Sequence, residues 1–235
     1  MKKGQSAAAA TAAPGATVRA VVFDLDGTLI DSMPLVMRAF AHALQPFRPE
    51  LGVDDIFQRL GGPPARTLLE LTGDATKAAE ALRRLETFGF ENGALVQPFT
   101  GMRDMLDGLQ RGGLKLAVWT GRDRETTRAI LLAHDLERYF SIVVCGDDLP
   151  THKPHPEGMT VILDHLDLEP DQALYAGDAD ADVLGGAGAG VPTILITHGR
   201  AVDTTVTGKA LRQVEQPSEA YTLIGEITGR PIENL

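Results

Sequence analysis

The stretch 18–28, Val-Arg-Ala-Val-Val-Phe-Asp-Leu-Asp-Gly-Thr, is a short β-branched run that stops at two aspartates, Asp24 and Asp26, with Gly27 behind them. An apolar run of this length reads as a strand buried on both faces, the mark of a parallel sheet. Four more runs follow at 114–119 (LKLAVW), 142–145 (IVVC), 173–176 (ALYA) and 192–197 (PTILIT). Amphipathic stretches at 101–111, 124–134, 156–166 and 180–189 separate or follow them. The alternation predicts an α/β protein built on a doubly wound parallel sheet.

One interval breaks the rhythm. Between the first run and residue 101 lie about seventy residues, far more than the usual connection between sheet elements. They carry helical patterns at 34–44, 53–60, 65–71 and 75–95, with no comparable strand. Residues 31–98 are therefore expected to form a small helical domain inserted into a core made of 17–30 and 99–235. Hinges are expected near Asp31 and Ser32 and over 97–100.

Composition excludes several function classes. The 235 residues carry 22 Lys and Arg against 32 Asp and Glu, a formal charge of −10, and only 5% are aromatic. No basic stripe is available for a phosphate backbone, so a nucleic-acid partner is not expected. No apolar run reaches the ~18 residues a membrane span requires. Cys145 is the single cysteine, which fits a reducing, cytoplasmic compartment and leaves no zinc-ligand spacing. Residues 1–16 open with two lysines and continue through Ala, Ser, Thr, Gly and Pro, which suggests a frayed tail more than a secretion signal. A monomer or homodimer is expected.

Chemistry sits after each strand. Asp24 and Asp26 follow the first, and Thr120, Gly121 and Arg122 follow the second. Lys153 follows the third and its loop, and Gly177 with Asp178, Asp180 and Asp182 follows the fourth. Ligands of open α/β sheets bind beyond the carboxyl ends of the strands, so these groups converge on one edge. Three or more carboxylates there repel one another unless a cation lies among them. Oxygen-only ligands favour a hard ion, and Mg²⁺ suits two or three carboxylates, water and a phosphate oxygen. Lys153 and the Thr120 hydroxyl then suit the remaining oxygens of a phosphoryl group.

In these residues the chain resembles the haloacid dehalogenase-like superfamily. Asp24-Leu25-Asp26-Gly27-Thr28 resembles its first motif, Thr120 its second, Lys153 in Lys153-Pro154 its third, and Gly177-Asp178-x-x-x-Asp182 its fourth. The similarity reaches the phosphoglycolate phosphatase-like and β-phosphoglucomutase-like branch, whose members carry an inserted helical cap. It implies a Rossmann-like core and a phosphatase working through an aspartyl-phosphate. Asp24 is then the nucleophile, and Asp26 the acid and base. Asp24, the Asp26 backbone carbonyl and Asp178 would hold Mg²⁺, with Asp182 ligating or supporting it. Thr120 and Lys153 would hold the phosphoryl oxygens, and Leu25 would turn into the core.

Asp26 argues against a dehalogenase or a phosphonate-cleaving relative, whose patterns lack an acid there. A phosphosugar mutase typically carries a histidine five residues after the Asp31 position, where this chain has Val36. A non-catalytic phosphometabolite-binding module has no need of a proton donor beside a nucleophile. The expected activity is therefore Mg²⁺-dependent hydrolysis of a small phosphorylated metabolite, of phosphoglycolate or sugar-phosphate type, with a phosphosugar mutase or a non-catalytic phosphometabolite-binding module as the alternatives. Arg122 and Arg66 are the candidate substrate-binding cations, beside Gly121. Asp180 is expected to cap the helix over 180–189, and the glycines of 185–190 to serve close packing, not a dinucleotide loop.

Overall fold

The structure is a computed structural model that describes residues 17–57, 59, 64–93 and 96–230. The expected tail 1–16 and the turn residues Gly61, Gly62 and Pro63 lie outside the described residues. Six strands form one parallel sheet in the order β5-β4-β1-β6-β7-β8. They are β1 (Ala20–Phe23), β4 (Lys115–Trp119), β5 (Ile142–Val144), β6 (Ala173–Gly177), β7 (Thr193–Ile196) and β8 (Arg212–Val214). The chain builds outward from β1 to β4 and β5, then returns to the other side of β1 with β6. That reversal opens the crevice in which such sheets bind ligands.

The period of two in β1 distributes its side chains between two cores. Val21 and Phe23 join Leu106, Leu116, Val118 and Ile224 on one face. Ala20 and Val22 join Ala117, Trp119, Met159, Ile162 and Tyr175 on the other. The first face is covered by α5 (Met102–Arg111), α6 (Arg124–Ala133) and α10 (Pro217–Thr228), and α7 (Glu157–Leu166) packs on the second. The short α9 (Thr204–Thr207) sends Val206 against Val183 of α8 (Asp180–Gly188) and Leu195 of β7. All four β1 residues have no solvent-accessible surface. Each large one contributes roughly 1.5–3 kcal/mol by leaving water.

Between β1 and α5 the chain runs through β2 (Ile30–Asp31), four helices and β3 (Gln97–Pro98). The helices are α1 (Met33–Leu44), α2 (Val53–Phe57), α3 (Pro64–Thr72) and α4 (Ala75–Glu91). β2 and β3 pair antiparallel, Ile30 with Pro98 and Asp31 with Gln97, so the helical segment leaves and re-enters through a two-strand ribbon. The helices share a core of their own, built on Met37, Phe40, Leu44, Ile56, Leu68 and Leu71.

Close packing explains the glycines of α8. A Cβ on Gly185 would lie 2.6 Å from the Trp119 ring, and one on Gly186 would lie 2.0 Å from Thr193 Oγ1. The expected cap by Asp180 is corrected: Ala179 holds the N-cap position, and its N–H donates to Asp182 Oδ2 at 2.9 Å. Asp180 instead pairs with Arg200 at 2.7 Å.

The C-terminal region contributes β8 and α10, neither of which the apolar runs announce. From α10 the buried Tyr221 hydroxyl donates to the Thr28 carbonyl at 2.5 Å, fixing the loop that follows Asp24 and Asp26. Tyr221→Phe leaves that carbonyl without its donor, and urea denaturation should show a loss of about 1–3 kcal/mol. An unchanged midpoint and slope would show that the loop is held by other means.

Candidate active site

Three neighbouring strand ends form the floor of the site. Asp24 leaves β1 with its N–H donating to Ala176 of β6 at 2.8 Å, and Thr120 leaves β4 with its N–H donating to Val144 of β5 at 3.0 Å. Leu25 between the two aspartates is fully buried in the core, so Asp24 and Asp26 face the site while Leu25 anchors them. Gly27 adopts φ +71°, and a Cβ there would lie 2.3 Å from Asp178 Oδ2. Only glycine fits, because the backbone is left-handed and the Asp178 carboxylate occupies that space.

Asp24, Asp178 and Asp182 each offer a carboxylate oxygen, and the three oxygens lie within 4.8 Å of one another. Lys153 reaches into them from the loop before α7. Its Nζ donates to Asp24 Oδ1 at 2.7 Å, to Asp182 Oδ1 at 2.6 Å and to the Tyr175 hydroxyl at 2.8 Å. An ammonium has three protons to donate, and all three are placed. The Tyr175 hydroxyl in turn donates to Asp182 Oδ1 at 2.7 Å. The Lys153 side chain is only 9% exposed and lies 5.2 Å from the Trp119 ring centre, adding a cation–π contact.

Burial pushes Asp24 well above the usual carboxylate range, against the pull of Lys153 and with the help of Asp182 and Asp178. Burial and the Asp182 charge raise Asp178 to about 7. Burial alone would lower Lys153, but the facing Asp182 and Asp24 charges outweigh it and raise it. Tyr175 is also raised well above its ordinary value, by burial first and then by the Asp182 and Asp24 charges, so it remains a phenol and a donor. With all three carboxylates ionised, the site would hold more negative charge than one ammonium offsets. Its donors are hard oxygens in a cluster the size of an ion's coordination shell, so the residues present fit a divalent cation.

Asp26 stands apart from this cluster. Arg122 grips both its oxygens, Nε to Oδ2 at 2.9 Å and Nη2 to Oδ1 at 2.6 Å, in a bidentate fork. The Arg122 N–H donates to Thr120 Oγ1 at 3.1 Å, which leaves the Thr120 hydroxyl proton free to point into the cavity. Asp24, Asp26, Thr120, Gly121, Arg122, Lys153 and Asp182 line one cavity of about 930 Å³, open toward α1 and α4.

Arg66 does not reach it. It projects from α3 with 76% of its side chain exposed and pairs with Glu70 one turn on at 2.9 Å, the ordinary fate of a helix-surface arginine. Tyr175, in contrast, went unread, because the run ALYA registers only as a strand. The signal was a tyrosine inside a fully buried strand, whose hydroxyl must find a partner. His198 and Arg200 brace the edge from the loop that follows β7. His198 Nε2 donates to the Gly27 carbonyl at 2.7 Å, and Arg200 to the Asp178 carbonyl at 2.8 Å.

Residues 21–196 match the haloacid dehalogenase-like hydrolase family. The chain is 31% identical over 202 residues to the pyrophosphatase PpaX of Bacillus cereus, a match covering 85% of this chain and 90% of that one. It is 35% identical over 193 residues to phosphoglycolate phosphatase 1 of Pseudomonas aeruginosa, covering 77% of this chain and 70% of that one. A solved structure of a haloacid dehalogenase-superfamily hydrolase, subfamily IA, from Geobacter sulfurreducens superposes with a TM-score of 0.74 at 27% identity. That superposition covers 92% of this chain and 100% of the other. With its motifs at the strand ends of a parallel sheet, the chain belongs to the haloacid dehalogenase-like hydrolases.

Proposed function

We propose that this protein is a Mg²⁺-dependent phosphatase that hydrolyses a small phosphomonoester through a phosphorylated Asp24. The observation that carries the reading is Asp24 itself: buried, pinned by Lys153, and clustered with Asp178 and Asp182, while a second carboxylate, Asp26, waits in the same cavity. Asp24 attacks phosphorus in line and the ester oxygen departs, taking a proton from Asp26. Water then attacks the aspartyl-phosphate and gives its proton to Asp26, and phosphate leaves with Asp24 restored. The Lys153 charge and the Thr120 hydroxyl donor steady the phosphoryl oxygens, and Gly121 and Arg122 border the leaving group. Asp24, Asp178, Asp182 and the Asp26 backbone carbonyl would hold Mg²⁺. When bound, the ion supplies positive charge against the phosphoryl oxygens and the three carboxylates.

The helical segment 31–98 serves as the cap on the core 17–30 and 99–235, closing over the substrate through the β2–β3 ribbon. Among the described residues no helix is long and apolar enough to cross a membrane. The lone Cys145 is buried and unpaired, which supports work in a reducing, cytoplasmic compartment. Pyrophosphate is the second reading, favoured by the 31% identity to PpaX.

Phosphate release should be measured over a panel of phosphomonoesters and pyrophosphate, with Mg²⁺ and with excess chelator. Release should need the metal, and Asp24→Asn should lose about four orders of magnitude or more while staying folded. No release from any compound by a folded, Mg²⁺-replete protein would overturn the reading.

Titration calorimetry offers a second test. With Asp178 raised to about 7, it holds a proton in the folded metal-free protein over a range where the unfolded chain has lost it. The metal-free protein therefore loses stability as pH rises from about 4 to 7. Mg²⁺ must displace that proton, so its affinity should be about tenfold or more weaker at pH 5.5 than at pH 7.5. Equal affinity at the two values would remove Asp178 from the ligand set.

A further inference from the structure

The cavity that ends on Asp24 has two unlike halves. Its floor is the polar strand edge, and its opposite wall comes from the helical segment. There α1 supplies Leu35 and Phe40, and α4 supplies Leu85, Glu86, Gly89 and Phe90. Leu85 with Gly89 and Glu86 with Phe90 are spaced i,i+4, so one face of α4 looks into the cavity. Phe90 is 63% exposed, a large apolar ring left in contact with the space above the floor.

Charge on this wall points one way. Among the described residues lining the cavity the only ionised side chain contributed by the helical segment is Glu86. Among the described lining residues the only cations are Arg122 and Lys153, both on the floor. Arg122 is held by Asp26, and Lys153 has spent its three protons on Asp24, Asp182 and Tyr175. A carboxylate or second phosphate on the substrate would be stripped of water against leucine and phenylalanine, with Glu86 repelling it.

Gly89 adds an independent sign. It lies inside α4, where glycine is among the poorest helix formers. A Cβ there would meet nothing within 4 Å, and its backbone is not left-handed, so neither packing nor φ requires glycine. What the missing side chain leaves is open room in the wall.

We propose that the leaving group is an uncharged alcohol with an apolar body, aromatic or aliphatic, lodged between α1 and α4 beside Gly89 and Phe90. The inference rests on the phosphatase reading and departs from the anionic substrate named in the Pseudomonas aeruginosa relative. A matched pair of esters tests it: benzyl phosphate and its para-carboxylate analogue, which share the reacting alcohol and differ in one remote charge. kcat/KM should be about tenfold or more higher for benzyl phosphate, a difference of about 1.4 kcal/mol. Glu86→Lys should shrink or reverse that ratio. Gly89→Leu should raise the melting temperature, since leucine is the better helix former. It should also lower kcat/KM for benzyl phosphate more than for ethyl phosphate, which a merely structural glycine would not do.

Equal or faster turnover of the carboxylated ester, or preference for phosphoglycolate or pyrophosphate over every uncharged ester, would overturn the inference and leave the phosphatase reading standing. Failure to release phosphate from any compound would take down both.

Discussion

Three carboxylates can share one strand edge because the Lys153 ammonium lies among them. Each charge brought out of water costs several kcal/mol, and a buried ion pair recovers that only when every hydrogen-bonding position is filled. Here the geometry meets the condition. Lys153 places its three protons on Asp24, Asp182 and Tyr175, and the Tyr175 hydroxyl closes the ring onto Asp182. The indole of Trp119 and the ring of Tyr175 wall off the ammonium stem from water. Much of the surrounding packing follows from that arrangement. A Cβ on Gly158 would lie 2.2 Å from Trp119 Nε1, and one on Gly185 would strike the far end of the same ring. The two glycines let α7 and α8 come close enough to hold the tryptophan that shields the lysine.

The same constraint sets the topology's use. β1 lies between β4 and β6, so the residues just past three adjacent strands meet without a long loop. Asp24 comes from the first, Thr120 from the second and Asp178 from the third. Asp182 is added by the first turn of α8, where it also accepts the Ala179 N–H and so tightens the helix start. One side chain thereby tightens the start of a helix, pairs with Lys153 and joins the carboxylate cluster of Asp24 and Asp178.

The parallel sheet was legible because its strands are buried on both faces and therefore apolar throughout. β8 was not, since Arg212-Gln213-Val214 is an edge strand with two exposed polar residues and carries no such run. The ribbon β2–β3 escaped for a similar reason: two residues a side give no periodicity to read. In the site, the residues that stood at strand ends could be found, because spacing alone places them. Tyr175 could not be assigned a partner from within its strand, and the Asp26–Arg122 fork joins residues 96 positions apart that no local pattern connects. Arg66 illustrates the converse. Sequence adjacency to a turn suggested a site residue, but its helical phase turns it to solvent beside Glu70. Helical phase relative to a cavity is a tertiary fact, and so is the apolar wall of α4.

The Asp26–Arg122 fork fixes the direction of the second carboxylate in the cavity. A carboxylate whose two oxygens each accept one guanidinium N–H is held in orientation and still keeps a second acceptor position on each oxygen. The guanidinium in turn has the N–H groups of Nε and Nη2 placed on Asp26. The fork therefore orients Asp26 without closing it off, and the carboxylate lines the same cavity as Asp24 with an acceptor position on each oxygen still open.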